Sequence, residues 1–173
     1  MTIKLSTLLL PALTHQLQAM SGQLEKGVAG SSDAGAALLA ARLAPDMFPL
    51  TAQIKTSCGQ ATDAITRLMG QPNSVTPEVT DMASARTLIA DTIAGLAKAD
   101  ADAIDAAADQ TVSLDLPNGM AFDMSGQDYV RDWVLPQFHF HTAMAYAILR
   151  NQGVEIGKID LLPYMMAHAR RPS

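Results

Sequence analysis

Apolar residues recur along this chain with a helical period. Leu5, Leu9, Leu13, Leu17, Met20 and Leu24 fall on one stripe, which predicts a helix from about Leu5 to Val28. His15 lies two residues from both Leu13 and Leu17, so it faces away from that stripe, toward solvent or a second subunit. After the loop 30–35 and a short helical piece from Ala36 to Leu43, a second helix starts near Asp46. Asp46 suits an N-cap, and Pro49 sits in the first turn, where a missing N–H costs little. Met47, Leu50, Ile54, Cys58, Ala61, Ile65 and Leu68 form the inner face of this helix, and Gly70 ends it. Residues 71–80, with Pro72 and Pro77, are a connecting loop. A third helix spans about Asp81 to Ala99, with Met82, Ile89, Ile93 and Leu96 aligned.

The period then changes. Val112, Leu114 and Leu116 alternate with polar residues, Pro117-Asn118-Gly119 supplies turn chemistry, and Met120, Phe122 and Met124 alternate again. That pattern predicts a β-hairpin between the third and fourth long helices, its apolar face covering one end of the helices. The aspartates of 100–109, just before it, lack the glycine and terminal glutamate of a calcium loop and read as a solvated acidic face on a weak helical turn.

The stretch from Gln127 to Gly153 reads as one long helix, apolar almost all round, around which the rest is organised. Ser125 and Asp128 resemble a capping box, Gly153 suits the position after the helix, and Pro136 predicts a kink. Val130, Val134, Gln137, His141, Met144 and Ile148 share a stripe, with Trp133, Phe140 and Ala147 on a second stripe beside it. His139 points roughly opposite to His141, so the two cannot chelate one ion together. His141 is expected to be buried, neutral and hydrogen-bonded, with Gln137, Asp46, Tyr146 or a freed backbone carbonyl as partner. The remaining turn at 155–157 leads to a short helix around Leu161–Ala167.

Composition narrows the function classes. The 173 residues fit one domain, 1–173, and abundant Ala, Leu, Met and Ile with few aromatics suit a helical bundle. The net charge is −5, and no basic cluster exceeds the Arg170–Arg171 pair, which argues against nucleic acid as a partner. No run of 18 apolar residues reads as a membrane span, and an amphipathic helix explains LSTLLLPAL better than a signal peptide does. The single cysteine, Cys58, sits on an inner helix face as a buried, inert thiol and fits a cytoplasmic protein.

Two stretches, RLAPDMFPL (residues 42–50) and LPQFHFHTAMAYAILRNQGVEIGKID (residues 135–160), resemble a bacterial family of unknown function within the DinB/YfiT-like superfamily. The residues that carry the likeness include Arg42, Pro45, Asp46 and Pro49 in the first stretch. In the second they include Pro136, Phe140, His141, Tyr146, Arg150, Gly157, Lys158 and Asp160. The resemblance implies an all-α, up-down-down-up four-helix bundle, here with the hairpin inserted, and commonly a homodimer. Better-known relatives in that superfamily bind a divalent metal through one histidine of the second helix and two of the fourth at i, i+4, and some are thiol-dependent transferases. Here His141 matches one of the fourth-helix pair, position 137 is Gln, and the second helix holds no histidine. A carboxamide is a weak ligand for such ions.

Two readings follow. In the first, the protein binds a small ligand or a partner as a homodimer, with His141, Gln137, Asp46 and Tyr146 lining the site. The homodimer would use the face of His139, Ala143, Tyr146 and Arg150, or the first helix at Leu8 and Ala12. In the second, it is a metal-dependent transferase or hydrolase, with His141 as a metal ligand and Asp46 or His15 recruited beside it. No cofactor is fixed by the residues; a divalent metal, zinc or nickel, is the one the resemblance suggests.

Overall fold

The computed structural model describes residues 3–33, 35–72, 74–116 and 118–170. It is mostly helical, with one small antiparallel hairpin. Four long helical segments carry the core. Helix α1 (Leu5–Ala29) is followed by a short α2 (Ala36–Ala40), then α3 (Leu50–Leu68) and α4 (Met82–Ala97). A short α5 (Ala101–Ala106) leads into β1 (Thr111–Asp115) and β2 (Ala121–Ser125). The last long segment is α6 (Gly126–Asp128), a π-helical stretch at Tyr129–Val134, and α7 (Leu135–Asn151). The chain then forms α8 (Lys158–Leu161) and a 3-10 turn at Pro163–His168. Helices α1 and α3 each pack against both α4 and α7.

The first-helix stripe Leu5, Leu9, Leu13, Leu17, Met20 and Leu24 is wholly buried. Helix α1 has no side-chain cap of its own. Asp105 of α5 takes that role, accepting from the Ser6 N–H at 2.8 Å while pairing with Lys4 at 3.2 Å. This carboxylate is therefore held below the usual range, first by the Ser6 amide. The acidic stretch is thus not a uniformly solvated face, because a helix start needs an acceptor and Asp105 is the one that reaches it.

The second long helix begins at Leu50 rather than near Asp46, and Pro49 occupies its N-cap position. Asp46 lies exposed in a turn closed by Met47 N–H on Ala44 O at 3.0 Å. Two prolines within five residues disfavour helical conformation in the residues before them, which delays the helix. Helix α4 is capped by Asp81, which accepts from Ser84 N–H at 2.7 Å while Ser84 Oγ accepts from the Asp81 N–H. Ile93 is only half-buried, and Ala85, Leu88 and Thr92 complete the inner face of α4.

In the hairpin, Val112 pairs with Met124 and Leu114 with Phe122. Val112 and Leu114 are buried, while Phe122 leans on Trp133 with ring centroids 6.3 Å apart. Pro117 of the expected turn lies outside the described residues; Gly119, at φ +84°, takes the left-handed position there. Arg67 at the end of α3 ties the hairpin down, donating to Ser113 O at 2.9 Å and to Asp63 at 2.8 Å. Tyr129 donates to the same Asp63 carboxylate at 3.2 Å.

The expected Gln127–Gly153 helix is interrupted. Ser125 does cap it, accepting from Asp128 N–H at 3.1 Å. The irregularity expected at Pro136 is spread over the preceding turn as a π-helical stretch, which widens the helix where the proline ring would meet the Asp132 carbonyl. The wider turn also shifts the inner face. Phe138, Ala145 and Leu149 are fully buried, whereas Gln137 and Met144 are half-buried and Phe140 is exposed.

Candidate functional site

Three local structures meet at His141. The 41–49 segment turns at Pro45 and runs extended through Pro49, which sets Phe48 over the imidazole. The two rings are nearly parallel, 16° apart, with centroids separated by 6.2 Å. Phe140 meets the same imidazole edge-on at 5.2 Å. The first turn of α3 supplies Gln53, which is 1% exposed. His141, on the inner face of α7, is 8% exposed.

His141 Nδ1 lies 2.8 Å from Gln53 Oε1. The other end of the carboxamide settles its orientation, because Gln53 Nε2–H donates to Phe48 O at 3.3 Å. Gln53 Oε1 can only accept, so Nδ1 carries the proton and donates. Burial pushes the imidazole pKa down, so the ring is neutral near pH 7 and its lone pair sits on Nε2. Among the described residues, three side-chain atoms are both enclosed and without a hydrogen bond: Gln23 Oε1, Gln60 Oε1 and Asp105 Oδ2, the last of these in the ion pair with Lys4. His141 Nε2 is not one of them and has no hydrogen-bond partner among the described residues, so it opens to water.

The expected partners of His141 are placed elsewhere. Gln137 is half-buried one turn before it, with no side-chain hydrogen bond among the described residues. Asp46 is exposed in its turn, and Tyr146 is half-buried against the core. The partner is Gln53, which sequence reasoning missed. Its signal was present, since Gln53 is three residues from Leu50 and so shares that helix face. His15 is not simply exposed: it is half-buried, stacked on Tyr164 with centroids 4.6 Å apart. His139 is exposed, with its ring edge-on to Phe138.

Several motif residues prove architectural. Arg150 donates to Ile156 O at 2.7 Å, and Asp160 accepts from Gly157 N–H at 2.8 Å and from Lys26 at 2.7 Å. Gln23 and Gln16 of α1 also hold this C-terminal segment, through Asp160 O at 2.9 Å and the Tyr164 hydroxyl at 3.1 Å.

The donor set does not fit the three-histidine metal site that the resemblance implies. No group of three or more His, Cys, Asp or Glu converges among the described residues. One imidazole is present, and the second-helix group that meets it is a carboxamide already accepting from Nδ1. Cys58 offers no thiolate, since burial pushes its pKa up to about 12. No described helix is long and apolar enough to cross a membrane.

The family model described as Domain of unknown function (DUF1993) matches residues 5–162. Among solved structures, a DinB family member protein from Shewanella denitrificans is similar over 97% of this chain and 96% of that one, with a TM-score of 0.76 and 25% identity. No curated protein matches the chain.

Proposed function

We propose that this chain, which belongs to the family described as Domain of unknown function (DUF1993), is a ligand-binding bundle of the DinB-like kind in which a carboxamide stands where a metal-binding imidazole would be needed. The observation that carries this reading is the 2.8 Å contact between His141 Nδ1 and Gln53 Oε1. With Nδ1 donating, Nε2 is left as an acceptor on an imidazole that Phe48 flanks nearly parallel and Phe140 edge-on. A small ligand presenting an N–H or O–H would bond there, with Gln137 half-buried one turn away as a second polar contact. The two stretches that carry the family likeness support this, because Phe48 comes from one and His141 from the other. Asp46, exposed two residues before Phe48, and Tyr146, half-buried on α7, are the further candidate contacts of this reading. The four long helices are read as an up-down-down-up bundle that places this site where α3 meets α7.

Association as a homodimer belongs to the same reading. Leu8 on α1 and Phe140 on α7, both about half exposed, lie on helices packed against each other. Arg150, expected on the dimer face, is engaged within its own chain. A buried unreactive Cys58 suits a cytoplasmic setting.

The test supplies zinc or nickel in modest excess and measures binding by calorimetry, comparing the wild type with His141→Ala. Weak binding that the substitution does not change is expected. Submicromolar, stoichiometric binding abolished by His141→Ala would overturn the reading in favour of a metal-dependent transferase or hydrolase.

A further inference from the structure

A cavity of about 440 Å³ lies between the outer side of α3 and the 76–79 part of the following loop. Phe48 is the one residue shared by this cavity and the His141 cluster among the described residues. The residue is 54% exposed, so it offers aromatic surface as one wall. Gly59 lets the loop close on the helix: a Cβ there would stand 2.8 Å from Thr76 Oγ1. Lys55 and Glu78 bridge helix and loop as an ion pair, so the two charges at the cavity answer each other.

The polar groups inside are unspent. Gln60 lines the cavity, and its Oε1 is enclosed without a hydrogen bond. An orphaned carboxamide oxygen of this kind is uncommon and calls for a donor. The enclosed oxygen does not face the cavity as it stands, and the last torsion of a glutamine is soft, so a half-turn of the carboxamide exchanges oxygen and NH₂ and brings the oxygen to the cavity. Thr51 and Thr56 line the same space, and their hydroxyls make no hydrogen bond among the described residues.

We propose that the cavity between Phe48, Gln60 and Thr76 binds a small, neutral, planar ring bearing an amide or lactam group. Phe48 stacks on the ring face. The amide N–H donates to Gln60 Oε1 once the carboxamide has turned, and the amide oxygen accepts from the Thr56 hydroxyl, one turn before Gln60 on the same side of α3. The closed Lys55–Glu78 pair leaves no net charge for an ionic ligand to neutralise. This site goes beyond the His141 reading and does not depend on it.

Nicotinamide is the probe. It is titrated into the ¹⁵N-labelled full chain, with cyclohexanecarboxamide and nicotinate as the non-planar and charged comparisons. The expected result is saturable shifts of the Gln60 side-chain NH₂ and of the Gly59 and Thr76 amides with nicotinamide, and clearly weaker binding of both comparisons. Gln60→Leu should weaken nicotinamide at least about tenfold. Phe48→Leu, at an exposed position, should weaken it by a similar factor and serves if the first variant does not fold. Absence of saturable shifts, shifts centred on other residues, equal binding of the comparisons, or affinity unchanged in the folded variants would each overturn the proposal. His141→Ala should leave nicotinamide binding in place, so failure here is distinguishable from failure at His141.

Discussion

Replacing Gln53 with leucine tests the central hydrogen-bonded pair. The substitution removes the acceptor of His141 Nδ1–H at 2.8 Å and the donor to Phe48 O at 3.3 Å. His141 is buried, so whichever tautomer it adopts, one enclosed nitrogen is left unpaired at a cost of about 1–3 kcal/mol. The Phe48 carbonyl belongs to an exposed residue and can turn to water, so losing its bond costs only about 0.5–1 kcal/mol. A buried leucine returns about 1 kcal/mol of apolar transfer. The net destabilisation is about 2 kcal/mol, or a Tm lower by about 4–8 °C for a domain of this size. Denaturant unfolding of Gln53→Leu, His141→Leu and the double variant should give a coupling energy of about 1–2 kcal/mol. The pH dependence adds a second readout. Because the folded-state pKa of His141 is depressed, the unfolded chain takes up the proton first as pH falls. Wild-type stability should then be full above the unfolded value of ~6.5 and fall as pH drops below it toward the folded pKa. His141→Leu should lose that part of the slope. Additive single effects, within about 0.5 kcal/mol, together with an unchanged slope, would refute the pairing.

Three further outcomes check the packing and the assembly. Gly126→Ala should destabilise by at least about 3 kcal/mol in denaturant unfolding, because a Cβ there would sit 2.1 Å from the Ala107 backbone oxygen. Gly22→Ala, in open space inside α1, should instead stabilise by about 0.5–1 kcal/mol. Light scattering at micromolar concentration should return twice the 18.3 kDa chain mass, and the chain mass itself would count against the homodimer.

Where burial repeats every three or four residues, the sequence read correctly. The α1 stripe is buried in full, and the inner face of α3 from Leu50 to Leu68 follows its apolar residues. The start of α3 and the course of the last long helix were less legible for related reasons. Backbone next to proline is governed by local sterics, which apolar periodicity does not report: Pro45 and Pro49 delay one helix, and Pro136 follows a π-helical stretch in the other. A π-helical stretch also breaks the 3.6-residue count. Stripes extrapolated across it therefore point astray, and Gln137 stands half-buried where full burial was expected while Phe138 is wholly enclosed.

The partner of His141 was missed for a different reason, and that reason bears on what the site can do. Periodicity selects residues by hydrophobicity, so a buried glutamine on an apolar face is discarded as an exception. Gln53 and Ser57 are both such exceptions on α3, one turn apart and fully buried, with Ser57 donating to Gln53 O at 2.8 Å. Polar groups are rarely enclosed unless partnered, so two stacked on one inner face point to a polar counterpart across the core. His141 is the polar residue that α7 offers to the Gln53 carboxamide. Because that carboxamide is neutral, it orients the ring without charging it. A carboxylate at position 53 would favour imidazolium and close Nε2 as an acceptor. The Gln53–His141 pairing thus keeps an uncharged acceptor at Nε2, which suits hydrogen-bonding a neutral donor on a ligand rather than holding an anion.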